Sequence, residues 1–303
     1  MCSSDLNLPD PIMRARLSQL PGKVVFPSDL PSGSQSVAPG PKRKGLDQTW
    51  AVVFTSGTSG SPKGVAISGS AFCASAHGHV VASGLAKATW LLNLPLYHVG
   101  GLSVLTRAFF LDSDICIGSS RFSSEESARW IRSGRVEGVS LVSTTLKRLL
   151  DLKDLSFSHL KIALLGGGPC PQSLSREALA RGVPLRLTYG MTETASQIAT
   201  ERKQLSGLEP LEGVELQISY AGEILVKSPS LASGFFQNGV FVPLSLVDGF
   251  FATGDLGELH ASRLQVFGRK SEQIITGGKK VSPLELDEAL QEDRKSTRLN
   301  SSH

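Results

Sequence analysis

Five short apolar runs, spaced so that helices fit between them, constrain this chain more than any other feature. They are Trp50–Phe54, Trp90–Leu94, Gly138–Val142, Ile162–Leu165 and Val183–Leu187. The intervening Ser143–Leu150 and Gln172–Ala180 are long enough for helices. Apolar strands alternating with helical stretches predict βαβ units and a parallel sheet covered on both faces. After Thr200 the strands crowd together, at Gly213–Ser219, Glu223–Lys227 and Leu264–Gly268. That change predicts a β-rich subdomain, so the expected class is α/β with a β-rich addition.

Composition narrows the functional classes. Of 303 residues, 40% are hydrophobic, and the net charge is only +4, so a disordered chain is excluded. The most apolar stretch, Leu102 to Leu111, is broken by Ser103, Thr106 and Arg107 and is shorter than the roughly 20 residues of a membrane span. The basic cluster Lys42-Arg43-Lys44 sits beside Pro41 and Gly45 with no aromatic nearby, which argues for a solvated loop and against nucleic acid. Cys2, Cys73, Cys116 and Cys170 form no C-x-x-C pair. With no signal peptide visible, a cytoplasmic location is expected.

Glycines and hydroxyls gather after predicted strands. Directly after Trp50–Phe54 comes Thr55-Ser56-Gly57-Thr58-Ser59-Gly60-Ser61-Pro62-Lys63-Gly64. Its glycines let backbone N–H groups converge on an anion, its hydroxyls add donors, and Lys63 adds a point charge. The pattern predicts a phosphate cradle. It is not a Walker loop, because Pro62 stands where that motif needs glycine before lysine. Tyr189-Gly190-Met191-Thr192-Glu193-Thr194 follows Val183–Leu187, where ligands bind in open α/β sheets. Tyr189 can stack on a base, Thr192 can meet phosphate, and Glu193 can hold a divalent cation. Gly166-Gly167-Gly168-Pro169 offers bare backbone to a flat ring, and Thr253-Gly254-Asp255 offers a carboxylate to ribose hydroxyls. Gly268-Arg269-Lys270-Ser271-Glu272 completes the set. No G-x-S-x-G occurs, so a serine hydrolase is disfavoured. His77 and His79, two apart on a predicted helix, do not face one ion.

In this order the motifs resemble the adenylate-forming acyl-CoA synthetase family, over about Trp50 to Leu290. The resemblance implies the family's large α/β N-terminal domain at residues 50–269, after an irregular, partial N-terminal region at 1–49. It implies a hinge and the start of a small C-terminal domain at 270–292, most of that domain being expected to lie outside this sequence. Residues 1–6 and 293–303 read as adapter or vector scars. Ser282-Pro283-Leu284-Glu285 predicts a helix start.

The implied reaction joins a carboxylic acid to coenzyme A through an acyl-adenylate, using ATP and magnesium. The resemblance assigns Thr55, Ser56, Gly57, Thr58, Ser59, Gly60 and Lys63 to the β- and γ-phosphates. It assigns Thr192 to the α-phosphate and Glu193 to magnesium. Gly167, Gly168 and Tyr189 would frame adenine, Gly190 and Met191 would also touch the nucleotide, and Asp255 and Arg269 would serve the ribose. His98 would gate the acid site.

Trp90–Gly101, Ser140–Leu146 and the short interval from Glu193 to Asp255 are most similar to the branch that activates an aromatic dicarboxylate. A medium-chain or aryl acyl-CoA ligase, and a nucleotide-binding fragment without full turnover, are the competing expectations. A homo-oligomer is left open. Two departures stand out. Ser271 occupies the position where the family carries a hinge Asp, with Glu272 next. No residue matches the family's small-domain lysine, and Lys279 and Lys280 do not fit its motif.

Overall fold

The computed structural model describes residues 24–25, 45–55, 63–119, 121–237, 240–276 and 279–281. In chain order these are β1 (Val24–Val25), β2 (Thr49–Thr55), β3 (Lys63–Ser68), α1 (Gly69–Ser83), β4 (Trp90–Leu92), α2 (Val99–Leu111) and β5 (Ile115–Ile117). Then come α3 (Ser124–Arg132), β6 (Gly138–Leu141), α4 (Ser143–Leu150), β7 (Ile162–Leu165), α5 (Gln172–Ala180) and β8 (Leu185–Met191). A 3-10 turn at Thr192–Thr194 leads to β9 (Ser196–Glu201), β10 (Leu208–Pro210), β11 (Glu215–Ile218) and β12 (Glu223–Lys227). Last are β13 (Gly234–Gln237), β14 (Val240–Pro243), β15 (Phe251–His260), β16 (Arg263–Arg269), a 3-10 turn at Lys270–Glu272, β17 (Ile274–Thr276) and β18 (Lys279–Val281).

The chain divides into two compact units, Met1–Val214 with Ser228–Ser245, and Glu215–Lys227 with Leu246–His303. In the first unit, β1, β5, β4, β6, β7 and β8 run parallel in that order. β9 and β10 extend the sheet antiparallel from β8. β4, β5, β6 and β7 are buried along their whole length, as strands with both faces covered must be. One face carries Trp130 and Ile131 of α3, Leu146, Leu149 and Leu150 of α4, and Ala178 of α5, packed on Val139, Ala163 and Leu165. The other face packs Trp90, Ile115 and Leu164 against Val104 and Ala108 of α2.

Two helices begin or end at caps that their sequences provide. The Ser123 hydroxyl caps α3 by accepting from the Glu126 amide, with Glu125 and Glu126 in the first turn and Arg129 and Arg132 in the last. α1 starts at the Ser68 cap and stops at Gly84 in the left-handed region.

A separate antiparallel sheet, ordered β14-β13-β3-β2, packs Val53, Val65 and Ile67 against Ala71 and Phe72 of α1. In the second unit, β11, β12, β15 and β16 form an antiparallel meander, the β-rich part expected from the sequence.

The structure corrects three expectations. The run at Trp50–Phe54 is not a member of the parallel sheet. β2 pairs antiparallel with β3, because Lys63–Ser68 forms a strand and leaves no helix to cross over. The expected strand Val183–Leu187 instead spans Leu185–Met191. Its second half pairs with β9 after its first half has paired with β7. Within the region read as irregular, Val24–Val25 pairs parallel with β5. The expected helix start at Ser282 lies outside the described residues.

One side chain closes the end of α4. Arg181 donates from Nη1 to the Leu150 carbonyl at 2.8 Å and from Nη2 to those of Leu152 and Leu155, each at 3.0 Å. These are carbonyls at and just beyond a helix C-terminus, where a cation is favoured. Arg181→Ala is expected to lower the unfolding free energy by about 1–3 kcal/mol in urea titration, by stripping donors from part-buried acceptors. An unchanged midpoint would mean that water replaces the guanidinium without cost.

Candidate active site

The hydroxyl-rich stretch is the connection of the β2–β3 hairpin. Ser56, Gly57, Thr58, Ser59, Gly60, Ser61 and Pro62 lie outside the described residues, but both ends of the connection are placed. Thr55 and Lys63 are register partners, and the Thr55 hydroxyl donates to the Lys63 carbonyl at 3.5 Å. Lys63 Nζ lies 3.4 Å from Glu193 Oε1, with the two side chains 33% and 12% exposed. The first motif and the second therefore meet through opposite charges.

The turn that presents Glu193 is braced from within. The Thr194 side chain is fully buried; its hydroxyl accepts from the Met191 amide at 3.0 Å and sits 2.7 Å from the Ser196 carbonyl. Ala195 and Ser196 both have positive φ, 51° and 103°. Two successive non-glycine residues in that region cost energy, which surrounding packing must offset. Ala195 is buried in the core beside Val65, and its carbonyl accepts from Ser75 of α1 at 3.1 Å. Outside the turn, the Ala232 amide donates to the Glu193 carbonyl at 2.8 Å.

Gly190 owes its identity to β9. A Cβ there would collide with the Ser196 carbonyl oxygen and lie 2.6 Å from Gln197 Cα, so no side chain fits. Tyr189 and Met191 flank it at the end of β8, and Thr192 begins the turn. One strand over, Gly167 follows β7 with φ +77°, a value that favours glycine, and Gly168 is exposed. The Thr188 hydroxyl ties the two strand ends together by donating to the Leu165 carbonyl at 3.1 Å.

His98 stands beyond β4, at the first residue before α2. Its ring is exposed and lies 4.6 Å from the Tyr97 ring. Lys63, Glu193, Thr192, Tyr189, Gly167 and His98 all belong to the first unit. Asp255 and Arg269 belong to the second and pair there at 3.0 Å, Oδ1 to Nε. Arg269 Nη1 also donates to the Thr253 carbonyl at 3.0 Å, and Lys270 pairs with Glu223 at 3.1 Å.

Sequence reasoning missed a buried polar group on the helix that His98 opens. Arg107, on α2, is 3% exposed, and its Nη1 has no hydrogen-bond partner among the described residues. Its guanidinium lies 4.5 Å above the Trp90 ring. Burial lowers its pKa to about 9, so it remains a cation at neutral pH. The neighbouring His79 stacks edge-on to Trp90 at 5.3 Å and lies 3.4 Å from the Gln197 amide nitrogen. Burial first, and the Arg107 charge second, hold His79 well below the ordinary imidazole range, so it is neutral. Just past β4, the buried Asn93 leaves both its amide oxygen and nitrogen unpartnered among the described residues. The available signal was Arg107 itself, a lone cation in the most apolar stretch of the chain.

Burial pushes Cys116 up to about 12 and Cys170 up to about 11, and Cys73, Cys116 and Cys170 are all free.

The chain belongs to the AMP-binding enzyme family, whose model matches residues 18–236. It is 36% identical over 256 residues to the 2-succinylbenzoate–CoA ligase of Listeria monocytogenes, covering 82% of this chain and 55% of that one. The ligase of the same name from Bacillus cytotoxicus is 32% identical over 301 residues, covering 89% and 62%. The chain thus spans a little over half the length of these relatives. Among solved structures, O-succinylbenzoate coenzyme A synthetase (MenE) of Bacillus subtilis, in complex with ATP and magnesium ion, matches with a TM-score of 0.74 at 32% identity. The match covers 84% of this chain and 57% of that one. Wild-type E. coli MenE, with a bound phenylether-linked analogue of OSB-AMS, matches at 0.70 and 28% identity, covering 92% and 63%. The α/β architecture is that of the large domain of these enzymes.

A buried cation lacking a full set of partners destabilises the fold that contains it. Arg107→Met is expected to raise the unfolding free energy by about 1–4 kcal/mol in urea titration. Lower stability in the variant would show that the guanidinium is satisfied where it lies.

Proposed function

We propose that the chain is the nucleotide-binding part of an ATP-dependent acid–thiol ligase whose acid is o-succinylbenzoate, a precursor of menaquinone and phylloquinone. The carrying observation is the Lys63–Glu193 pair at the end of the β2–β3 hairpin, which supports the reading because an ammonium suits phosphate and a carboxylate suits a divalent cation. In the first step the acid's carboxylate oxygen attacks the α-phosphorus of ATP, and pyrophosphate leaves. In the second step the coenzyme A sulfur attacks the acyl carbon, AMP leaves, and a thioester remains. Both steps bring anions together, so the site must neutralise charge and fix an in-line geometry.

The roles follow the chemistry of the residues. Thr55 to Gly64, through backbone amides, hydroxyls and Lys63, hold the β- and γ-phosphates. Thr192 donates to the α-phosphate. Gly167, Gly168, Tyr189, Gly190 and Met191 form the adenine side, and Asp255 with Arg269 takes the ribose. His98 stands where acid and nucleotide meet.

Magnesium fits Glu193. Among the described residues no group of three or more His, Cys, Asp or Glu could cage an ion. Magnesium characteristically needs only one or two carboxylates when substrate phosphates and water complete its shell. When bound, it supplies charge neutralisation on the polyphosphate.

Arg107 supports a diacid. One carboxylate is consumed in the reaction, and the second, buried away from water, needs a cation. Arg107 is a buried cation whose Nη1 has a donor to spare among the described residues. Asn93, past the end of β4, adds an amide with no partner among the described residues.

The test is acid-dependent pyrophosphate release with o-succinylbenzoate, benzoate and hexanoate. Only o-succinylbenzoate is expected to drive strong release, and Arg107→Met is expected to raise its KM by about 10-fold or more. Strong turnover of hexanoate with none of o-succinylbenzoate would replace the diacid with a medium-chain substrate.

A further inference from the structure

Lys63, Val65 and Ile67 project from the same side of β3, because side chains alternate along a strand. Val65 and Ile67 are fully buried, so Lys63 is the polar end of an apolar row. On the neighbouring β13, Phe235 is the register partner of Val65, which sets its ring diagonal to Lys63. The ammonium sits 4.1 Å from the centre of that ring. The lysine is therefore held on two sides, by a carboxylate at 3.4 Å and by an aromatic face.

The segment that carries Phe235 also fixes Glu193. The Ala232 amide donates to the Glu193 carbonyl at 2.8 Å, and the Ser233 amide donates to the Ala66 carbonyl at 2.9 Å. The stretch from 232 to 235 thus touches the glutamate by backbone and the lysine by a ring. Lys63 has a flexible stem and is one-third exposed, and an ion pair at that exposure restrains it weakly.

We infer that Phe235 is a positioning residue, whose ring face keeps the Lys63 ammonium aimed at the polyphosphate. The inference rests on the nucleotide reading above and deepens it. The π-face is a partner that phosphate does not compete for. Once Glu193 is committed to the cation accompanying the nucleotide, the ring is the contact that Lys63 keeps. Phe235 also packs against the core cluster of Val53, Val65 and Ile67. A decisive test must therefore separate packing from the π-face.

Isothermal titration of the 303-residue chain with ATP, pyrophosphate and AMP, each with magnesium, makes that separation. Phe235→Leu is expected to weaken ATP and pyrophosphate about 3- to 10-fold and to leave AMP unchanged, with Phe235→Tyr restoring both. Stepwise fluorination of the Phe235 ring drains its face at nearly constant volume. It is expected to reproduce the same graded loss even if Phe235→Leu folds poorly. Unchanged pyrophosphate affinity across the fluorinated series, or an equal loss for AMP, overturns the inference. Lys63→Met separates the two levels. If it weakens ATP while fluorination does not, only the role of Phe235 fails. If it binds ATP as the parent does, the nucleotide reading itself falls.

Discussion

The contact between Lys63 and Glu193 is the interaction on which the proposed site depends. It joins a hairpin of the four-stranded sheet to the turn that ends the parallel sheet's last strand. An ion pair with one partner a third exposed adds little to folding, so stability alone does not account for the effort around it. That effort is considerable. Thr194 is buried to brace the turn, Ala195 and Ser196 accept positive φ, and Gly190 lets β9 approach to within a distance that no Cβ allows. Strained backbone persists where the surroundings over-determine it, and such places cluster at working sites.

A second cost sits deeper. Arg107 and the neutral His79, both against Trp90, occupy what would otherwise be an apolar seam between α1, β4 and α2. An interior built for stability alone would fill those positions with hydrocarbon. A guanidinium stacked on Trp90, with one nitrogen unpartnered among the described residues, makes sense if an anionic group of the proposed acid completes it. The two features divide the labour by charge. Near the hairpin, a cation and a carboxylate face each other, which on the proposed function they would exchange for phosphate and metal. Along α2, a buried cation keeps one nitrogen unpartnered among the described residues.

Much of this was readable in the sequence, for local reasons. Ser143–Leu150 and Gln172–Ala180 are helices to the residue, and Ile162–Leu165 and Glu223–Lys227 are strands to the residue. Their patterns end at sharp polar or glycine boundaries. The hairpin escaped detection because β3 follows a glycine-rich stretch and its other partner, β13, is far away in sequence. Pairings of that range leave no mark on local periodicity. β8 was read too short because its second half is set by β9. Motif residues were legible as types. That Lys63 meets Glu193 and Phe235 was not, because register, and not composition, brings them together. Arg107 read as an interruption of an apolar run, and only its burial gives it meaning.

The central claim is that Lys63 and Glu193 trade their mutual contact for the polyphosphate and its cation. Calorimetric titration of ATP into the chain, with and without magnesium, in Lys63→Met and Glu193→Gln tests it most directly. The account predicts that Glu193→Gln abolishes the dependence of ATP affinity on magnesium. It predicts that Lys63→Met weakens ATP whether magnesium is present or absent. Parental affinity and parental magnesium dependence in both variants would contradict it.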